Sequence, residues 1–373
     1  MPPTSAAGKA LSRVLVPVLL AAVPLQAGTI RDDRLDGQYT ALANQQAFAA
    51  VGQFDWWERG RSYLASGTLI NNQWVLTAAH VVSGIKPGNI GTMTFTVGGQ
   101  SYHVSEAYVH AGWNKDVGNG NDIGLVRLSS VAAGITPAYL YSGTDESQKL
   151  ATVVGYGVTG TGLTGATLPS GTKRAGTNVT ALGSVLNGIS WTGGGNDNML
   201  VADFDQPGPT GDPTTDLAVP TDLEYCGAPG DSGGSWFIQR NGLEYLAGVT
   251  SFLCSYPGNP QDAMYGDIFG STRVSSYLSW VRQHTTYDLS VPGDANIDGR
   301  VDYLDLGVLA SNYRLEGKSW PEADFNGDTL VDYLDLGLLA SNYRFGTGAG
   351  PVPEPASLSL LALGVLAATR RAG

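Results

Sequence analysis

Ser232 stands in "YCGAPGDSGGSW" (225–236), directly after an aspartate and ahead of two glycines. A serine hydroxyl is a poor nucleophile at neutral pH, so a reactive Ser232 needs three things: a base, a group that orients the base, and donors for an oxyanion. The chain has four histidines, His80, His103, His110 and His284. His80 ends "WVLTAAH", an alternating run leading into small residues, which suits a side chain presented at the rim of a barrel. His110, in "VHAGWN", reads as a structural loop residue. Asp122 precedes the alternating apolar positions Ile123, Leu125, Val126 and Leu128 in "NDIGLVRL". A carboxylate at the buried mouth of a strand is costly unless partnered. An imidazole N–H is such a partner, and it fixes the tautomer whose other nitrogen accepts the serine proton.

A second chemistry appears twice. "GDANIDGRVDYLDLGVLASNYR" begins at 293 and "ADFNGDTLVDYLDLGLLASNYR" at 323, a repeat of period 30. In the first copy Asp294, Asn296, Asp298, Asp302 and Asp305 stand at loop positions 1, 3, 5, 9 and 12, with Gly299 at 6 and the Arg300 carbonyl at 7. The second copy offers Asp324, Asn326, Asp328, Asp332 and Asp335 with the Leu330 carbonyl, and Thr329 replaces the glycine. Hard oxygen ligands at these intervals wrap Ca²⁺, so two structural calcium ions are expected and none for catalysis.

The elements that must position these residues are mainly strands. Short alternating runs such as "SGTLI", "MTFTVGG", "ATVVGYG", "MLVADF" and "YLAGVTSF" recur between about 45 and 288, the pattern of a sandwich or barrel. The glycine-rich stretch 157–220 reads as long surface loops. "TRVSSYLSWVRQH" (272–284) puts Val274, Tyr277, Leu278 and Val281 on one helical face and closes the body. Lys9 and Arg13 precede the apolar run "VLVPVLLAAV" and the small Ala27, which reads as a cleaved export signal too short for a membrane span. Export leads to an oxidising compartment where Cys226 and Cys254 can pair, so a disulfide beside Ser232 is expected. The net charge of −12 argues against nucleic acid as a partner.

Taken together, "LTAAH", "NDIGLVRL" and "GDSGG", in this order, with "SGTLI", "VVGYG", "GVTSF" and the late helix, resemble the trypsin and chymotrypsin family of serine endopeptidases over about 45–288. The resemblance implies two six-stranded antiparallel β-barrels with a C-terminal helix. It makes Ser232 the nucleophile, His80 the general base and acid, Asp122 the orienting carboxylate, and the amides of Gly230 and Ser232 the oxyanion hole. It also implies that Ser251 supports Asp122, that Ser251, Phe252 and Leu253 align the backbone of a protein or peptide substrate, and that Glu224, if turned inward, selects basic residues. There are departures: Val81 stands where the family has a cysteine, Cys226 lies six residues before Ser232 rather than four, and no "IVGG" start is present to bury an amine against Asp231.

The repeats resemble a dockerin, a small α-helical module of paired calcium loops that implies a cohesin-like partner. Tyr303, Leu304, Tyr333 and Leu334 replace the small hydroxyl residues often found there. "PVPEPASLSLLALGVLAATRR" resembles the bacterial Pro-Glu-Pro sorting signal, which implies membrane contact only through the tail. The expected organisation is a signal peptide (1–27), a protease domain (28–288), a calcium module (289–345) and a linker with sorting tail (346–373). The expected protein is an exported serine endopeptidase, secreted or held at the bacterial cell surface. The competing expectation is a catalytically silent surface scaffold acting through the calcium module.

Overall fold

Runs of β-branched and aromatic residues punctuated by glycine form short strands when each can bury one face. The computed structural model describes residues 28–58, 60–85, 87–208, 219–240, 243–285, 291–295, 301–318, 322–326 and 328–344. The expected signal (1–27), the sorting tail (346–373) and the expected ligands Asn296, Asp298 and Arg300 lie outside the described residues.

Strand β1 (Gly28–Ile30) and helix α1 (Asp36–Ala43) come first. Then β2 (Val51–Glu58), β3 (Arg61–Leu69), β4 (Trp74–Thr77), β5 (Thr94–Val97), β6 (Gln100–Val109) and β7 (Gly124–Leu128) close an antiparallel barrel in the order β2-β3-β4-β7-β6-β5. Phe54, Val75, Phe95 and Leu125 fill it, all fully buried. The short helix α2 (Ala79–Ser83) follows β4 at the barrel rim.

The second half contains β8 (Tyr139–Leu140), β9 (Leu150–Gly155), β10 (Thr159–Thr161), β11 (Gly165–Leu168), β12 (Arg174–Val179), β13 (Ala181–Leu182), β14 (Met199–Asp203), β15 (Tyr225–Cys226), β16 (Ser235–Arg240), β17 (Leu243–Cys254) and β18 (Ile268–Arg273). Its main sheet runs β12-β9-β16-β17-β18-β14-β13, with β8 parallel to β17. This corrects the expectation of a second closed six-stranded barrel. The edge strands β12 and β13 are consecutive pieces of one segment broken at Thr180, whose amide donates to Lys149 O (2.9 Å) and whose hydroxyl donates to Glu146 O. The ladder is interrupted at that break, so the sheet remains a half-barrel. The stretch 157–220 is also more ordered than expected: it supplies β10 to β14, of which β10, β12 and β14 pair with β1, β9 and β18 outside the stretch, while β11 and β13 pair with β10 and β14 within it.

β15 belongs to a separate four-stranded sheet, β11-β10-β1-β15. This placement overturns the expected disulfide. Cys226 sits in β15 with its Sγ 3.6 Å from Gly227 O, Cys254 ends β17 with its Sγ 3.8 Å from Thr192 O, and both thiols are free.

The terminal helix α3 (Leu278–His284) starts later than expected, after a 3₁₀ turn over Val274–Tyr277. Val274, Tyr277 and Val281 are buried as the periodicity predicts. Beyond it, α4 (Tyr303–Asn312) and α5 (Tyr333–Asn342) form a small unit around Val301, Leu309, Phe325, Val331 and Leu339. Each helix is capped reciprocally. Asp302 accepts from the Leu304 amide and Asp305 from the Asp302 amide; Asp332 and Asp335 repeat the arrangement. No described helix is long and apolar enough to cross a membrane.

Candidate active site

Ser232 lies in the turn between β15 and β16, where the backbone is folded tightly on itself. The Asp231 amide donates to Ala228 O (2.9 Å) and the Gly234 amide to Asp231 O (2.7 Å), while Ser232 O accepts from the Ser66 amide of β3 (2.8 Å). The turn is thereby clamped to the first barrel. Two glycines make it possible. Gly230 has φ +97°, and a Cβ there would lie 2.9 Å from Gly157 Cα. Gly233 has φ +81°, and a Cβ there would overlap Thr77 Oγ1. Both positions combine left-handed backbone with no room for a side chain.

The Asp231 side chain faces inward and is buried. Its Oδ1 accepts from the Gly157 amide (2.8 Å) and its Oδ2 from the Ala228 amide (2.9 Å). Burial pushes its carboxyl up to about 6, against the pull of those amides. Backbone donors thus hold the carboxylate here. Arg174, the nearby cation, is engaged by Asp36 of α1.

His80 sits in the first turn of α2. Its Nδ1 is 2.6 Å from Asp122 Oδ2, its Nε2 is 2.7 Å from Ser232 Oγ, and its amide donates to Asp122 Oδ1 (2.8 Å). Asp122 is fully buried, whereas the imidazole is 32% exposed. A carboxylate only accepts hydrogen bonds, so the proton shared with Asp122 sits on Nδ1 and Nε2 is free to accept from the serine hydroxyl. Asp122 also accepts from Ser251 Oγ (2.6 Å), and its carbonyl accepts from Thr272 Oγ1 (2.8 Å). Ser251 reaches it because the β17–β18 register slips between Thr250 and Phe252, a bulge that turns one side chain out of the ladder. Ser66 and Thr272, which hold the serine turn and the aspartate, carry no signal in sequence: their partners lie 164 and 150 residues away.

The structure therefore brings His80, Asp122, Ser232 and Ser251 together. Among the described residues the amides of Gly230 and Ser232 make no hydrogen bond, while those of Asp231 and Gly233 do. Phe252 and Leu253 continue β17, which pairs with β18 on one side and, on the other, bonds to β16 and the glycines before it only as far as Thr250. Glu224 does not join the site. It is buried, accepts from Asn178 Nδ2 (3.0 Å) and from the Thr221 amide, and points into the sheet, which corrects the expectation that it selects basic side chains. His110 is structural as expected, its ring edge-on to Tyr277 (4.9 Å) and Trp280 (5.4 Å). A cleft of about 410 Å³ opens beside Ser232 and His80.

A family model described as trypsin matches residues 37–281. The chain belongs to the trypsin family. Serine protease SSP1 of Scolopendra subspinipes is 28% identical over 270 residues, covering 68% of this chain and 84% of that protein. Chymotrypsin-like elastase family member 1 of Homo sapiens is 29% identical over 239 residues, covering 59% and 81%. A solved collagenase structure overlaps 67% of this chain and 96% of its own at 23% identity, with a TM-score of 0.48. This trypsin-family protein is a serine endopeptidase with protein substrates. A second family model, the PEP-CTERM protein-sorting motif, matches residues 351–372 and marks the enzyme as exported to the cell surface or beyond.

In the C-terminal unit Asp294, Asp305, Asp324 and Asp335 are buried. Asp335 Oδ1 accepts from the Phe325 amide (2.7 Å) and Asp324 Oδ2 from the Thr329 amide (3.0 Å). Thr329, at the position of the expected glycine, has φ +70°. Among the described residues no group of three or more His, Cys, Asp or Glu side chains is arranged to hold a metal.

Proposed function

We propose that this endopeptidase works through Ser232, His80 and Asp122. The hydrogen-bonded chain Ser232 Oγ, His80 Nε2, His80 Nδ1, Asp122 Oδ2 carries the reading. Ser232 Oγ attacks the peptide carbonyl carbon and its proton passes to His80 Nε2. The carbonyl oxygen becomes an oxyanion held by the Gly230 and Ser232 amides, whose other neighbours in the turn are already engaged. His80 then gives the proton to the leaving nitrogen, the C–N bond breaks, and an acyl-enzyme remains on Ser232. Water, deprotonated by His80, hydrolyses the ester. Asp122 stabilises the imidazolium throughout, and Ser251 and the His80 amide keep that carboxylate in place. The open edge of β17 at Ser251 to Leu253 supports alignment of the substrate as an added strand.

Labelling with a fluorophosphonate tests the assignment. Wild-type protein should react once, at Ser232. Ser232→Ala should not react, and Asp122→Asn should turn over about 10⁴-fold more slowly. A wild type that fails to react under calcium, with Ser232→Ala behaving identically, would instead favour a silent scaffold.

Calcium binding by the C-terminal unit belongs to the same proposal. The described donors suit an oxygen-seeking cation in type, since buried Asp324 and Asp335 share a loop with Asn326 and Asp328. The fit is partial, because amides already occupy oxygens of Asp324 and Asp335. A bound ion would neutralise these carboxylates and hold the loop to the start of α5. Adding Ca²⁺ to chelator-treated full-length protein should raise the melting temperature; an unchanged melt would end the calcium reading. The exposed pairs Tyr303, Leu304 and Tyr333, Leu334 are what a cohesin-like partner would meet.

A further inference from the structure

The cleft beside Ser232 is lined on the β2–β3 side by Trp56 and Tyr63 with Glu58, Leu64 and Ala65, and its position relative to His80 defines which part of a substrate it receives. Trp56 of β2 and Tyr63 of β3 face each other directly across the hairpin. Their rings stack at 5.3 Å with only 13° between planes. Trp56 is half-buried against the barrel core, while neighbouring Trp57 is 61% exposed. The stacked pair, with Val81 and Ile85 at the α2 side, lines the cleft that ends on His80 and Ser232.

The side of the bond follows from proton transfer, and this step rests on the reading of Ser232 and His80 given above. His80 must hand its proton to the nitrogen that leaves, so the leaving half of the substrate lies against the element that carries His80. That element is α2, which lines the cleft together with the β2–β3 hairpin. The acyl half lies along β17, and no residue of β17 lines this cleft. We infer that Trp56 and Tyr63 form a subsite for an aromatic or bulky apolar side chain within the first two residues after the scissile bond. A flat, half-buried indole backed by a phenol ring offers stacking area at little entropic cost. Val81 and Ile85 supply the opposite wall.

Acyl transfer isolates this half of the substrate. The acyl-enzyme is formed from the best of a panel of N-blocked amino-acid esters and offered Phe-Gly, Gly-Phe or Gly-Gly amide. The acceptor nitrogen attacks the ester carbon, a C–N bond forms, the bond to Ser232 Oγ breaks, and the amine proton passes through His80 to the serine. Partition of the acyl group between dipeptide and water then reads acceptor binding alone. Wild type should favour at least one phenylalanine acceptor over Gly-Gly by about tenfold or more. Trp56→Ala should bring that ratio close to one, and Trp56→Phe should restore part of it. Equal partition among acceptors in wild type, or a ratio untouched by Trp56→Ala, would overturn the inference and leave the function reading standing. Absence of any acyl-enzyme on Ser232 by intact mass would bring down both.

Discussion

Gly230 is the residue at which backbone conformation and chemistry meet. Its φ of +97° turns the peptide plane so that its amide is left without an internal acceptor, and a methyl group would press on Gly157 and on Leu64 at 3.1 Å. On the proposed mechanism, Gly230→Ala should therefore damage the oxyanion donor rather than the fold at large, lowering kcat by about 10² to 10³ with a smaller change in KM. Steady-state kinetics beside a thermal melt separates the two. Ser232, His80 and Asp122 each sit in a short segment whose residue types leave few other uses, which is why the sequence alone puts them forward as candidates. Glu224 differs for the opposite reason. Two residues before Cys226 it resembles a cleft residue, and only the fold turns it toward Asn178 and Thr221.

Elements decide how the site is supported. The bulge in β17 aims Ser251 at Asp122, and the break at Thr180 leaves the second sheet a half-barrel; neither follows from alternation, since the first is a register slip within the β17–β18 ladder and the second is set by the bonds of Thr180 to Glu146 and Lys149. The same sheet stores a charge problem. Burial, with nearby Asp205 and Asp203, pushes the Glu224 carboxyl up from its ordinary 4.5 to about 8. The folded state thus holds this proton more tightly than the unfolded chain. That contribution to stability is fully present below about pH 4.5 and is lost as pH rises through about 8. The melting temperature of wild type should fall between pH 6 and pH 9, and Glu224→Gln, which does not titrate, should show a flatter profile. Parallel profiles from differential scanning calorimetry would refute this account.

At the scale of the whole molecule the C-terminal unit rests on the half-barrel. Tyr245 of β17 donates to Asn342 Oδ1 of α5 (3.1 Å) in a buried contact, and Tyr139 of β8 donates to Phe325 O (3.3 Å). The sequence reads 289–345 as a module of its own, yet these bonds make it a second support for β8 and β17. Tyr245→Phe removes a donor without opening a cavity, so it should cost about 1 kcal/mol and lower the melting temperature by about 2 °C. Faster amide exchange in α5 would show that the loss is at this contact.

The linear order of residues by itself carried the family resemblance and the sorting motif, and it put forward a hydroxyl, an imidazole and a carboxylate in recognisable settings and a repeat of oxygen-bearing side chains. It did so because local spacing and residue type limit what a short segment can do. Only the tertiary structure decided that the cysteines stay apart in two sheets, that the amides of Gly157 and Ala228 hold Asp231, and that an aromatic pair lines the cleft beside His80. Those outcomes depend on which segments meet in space: Thr29 of β1 pairs with Cys226 across 197 residues and Gly157 reaches Asp231 across 74, and neither meeting leaves a trace in the local spacing of its partners.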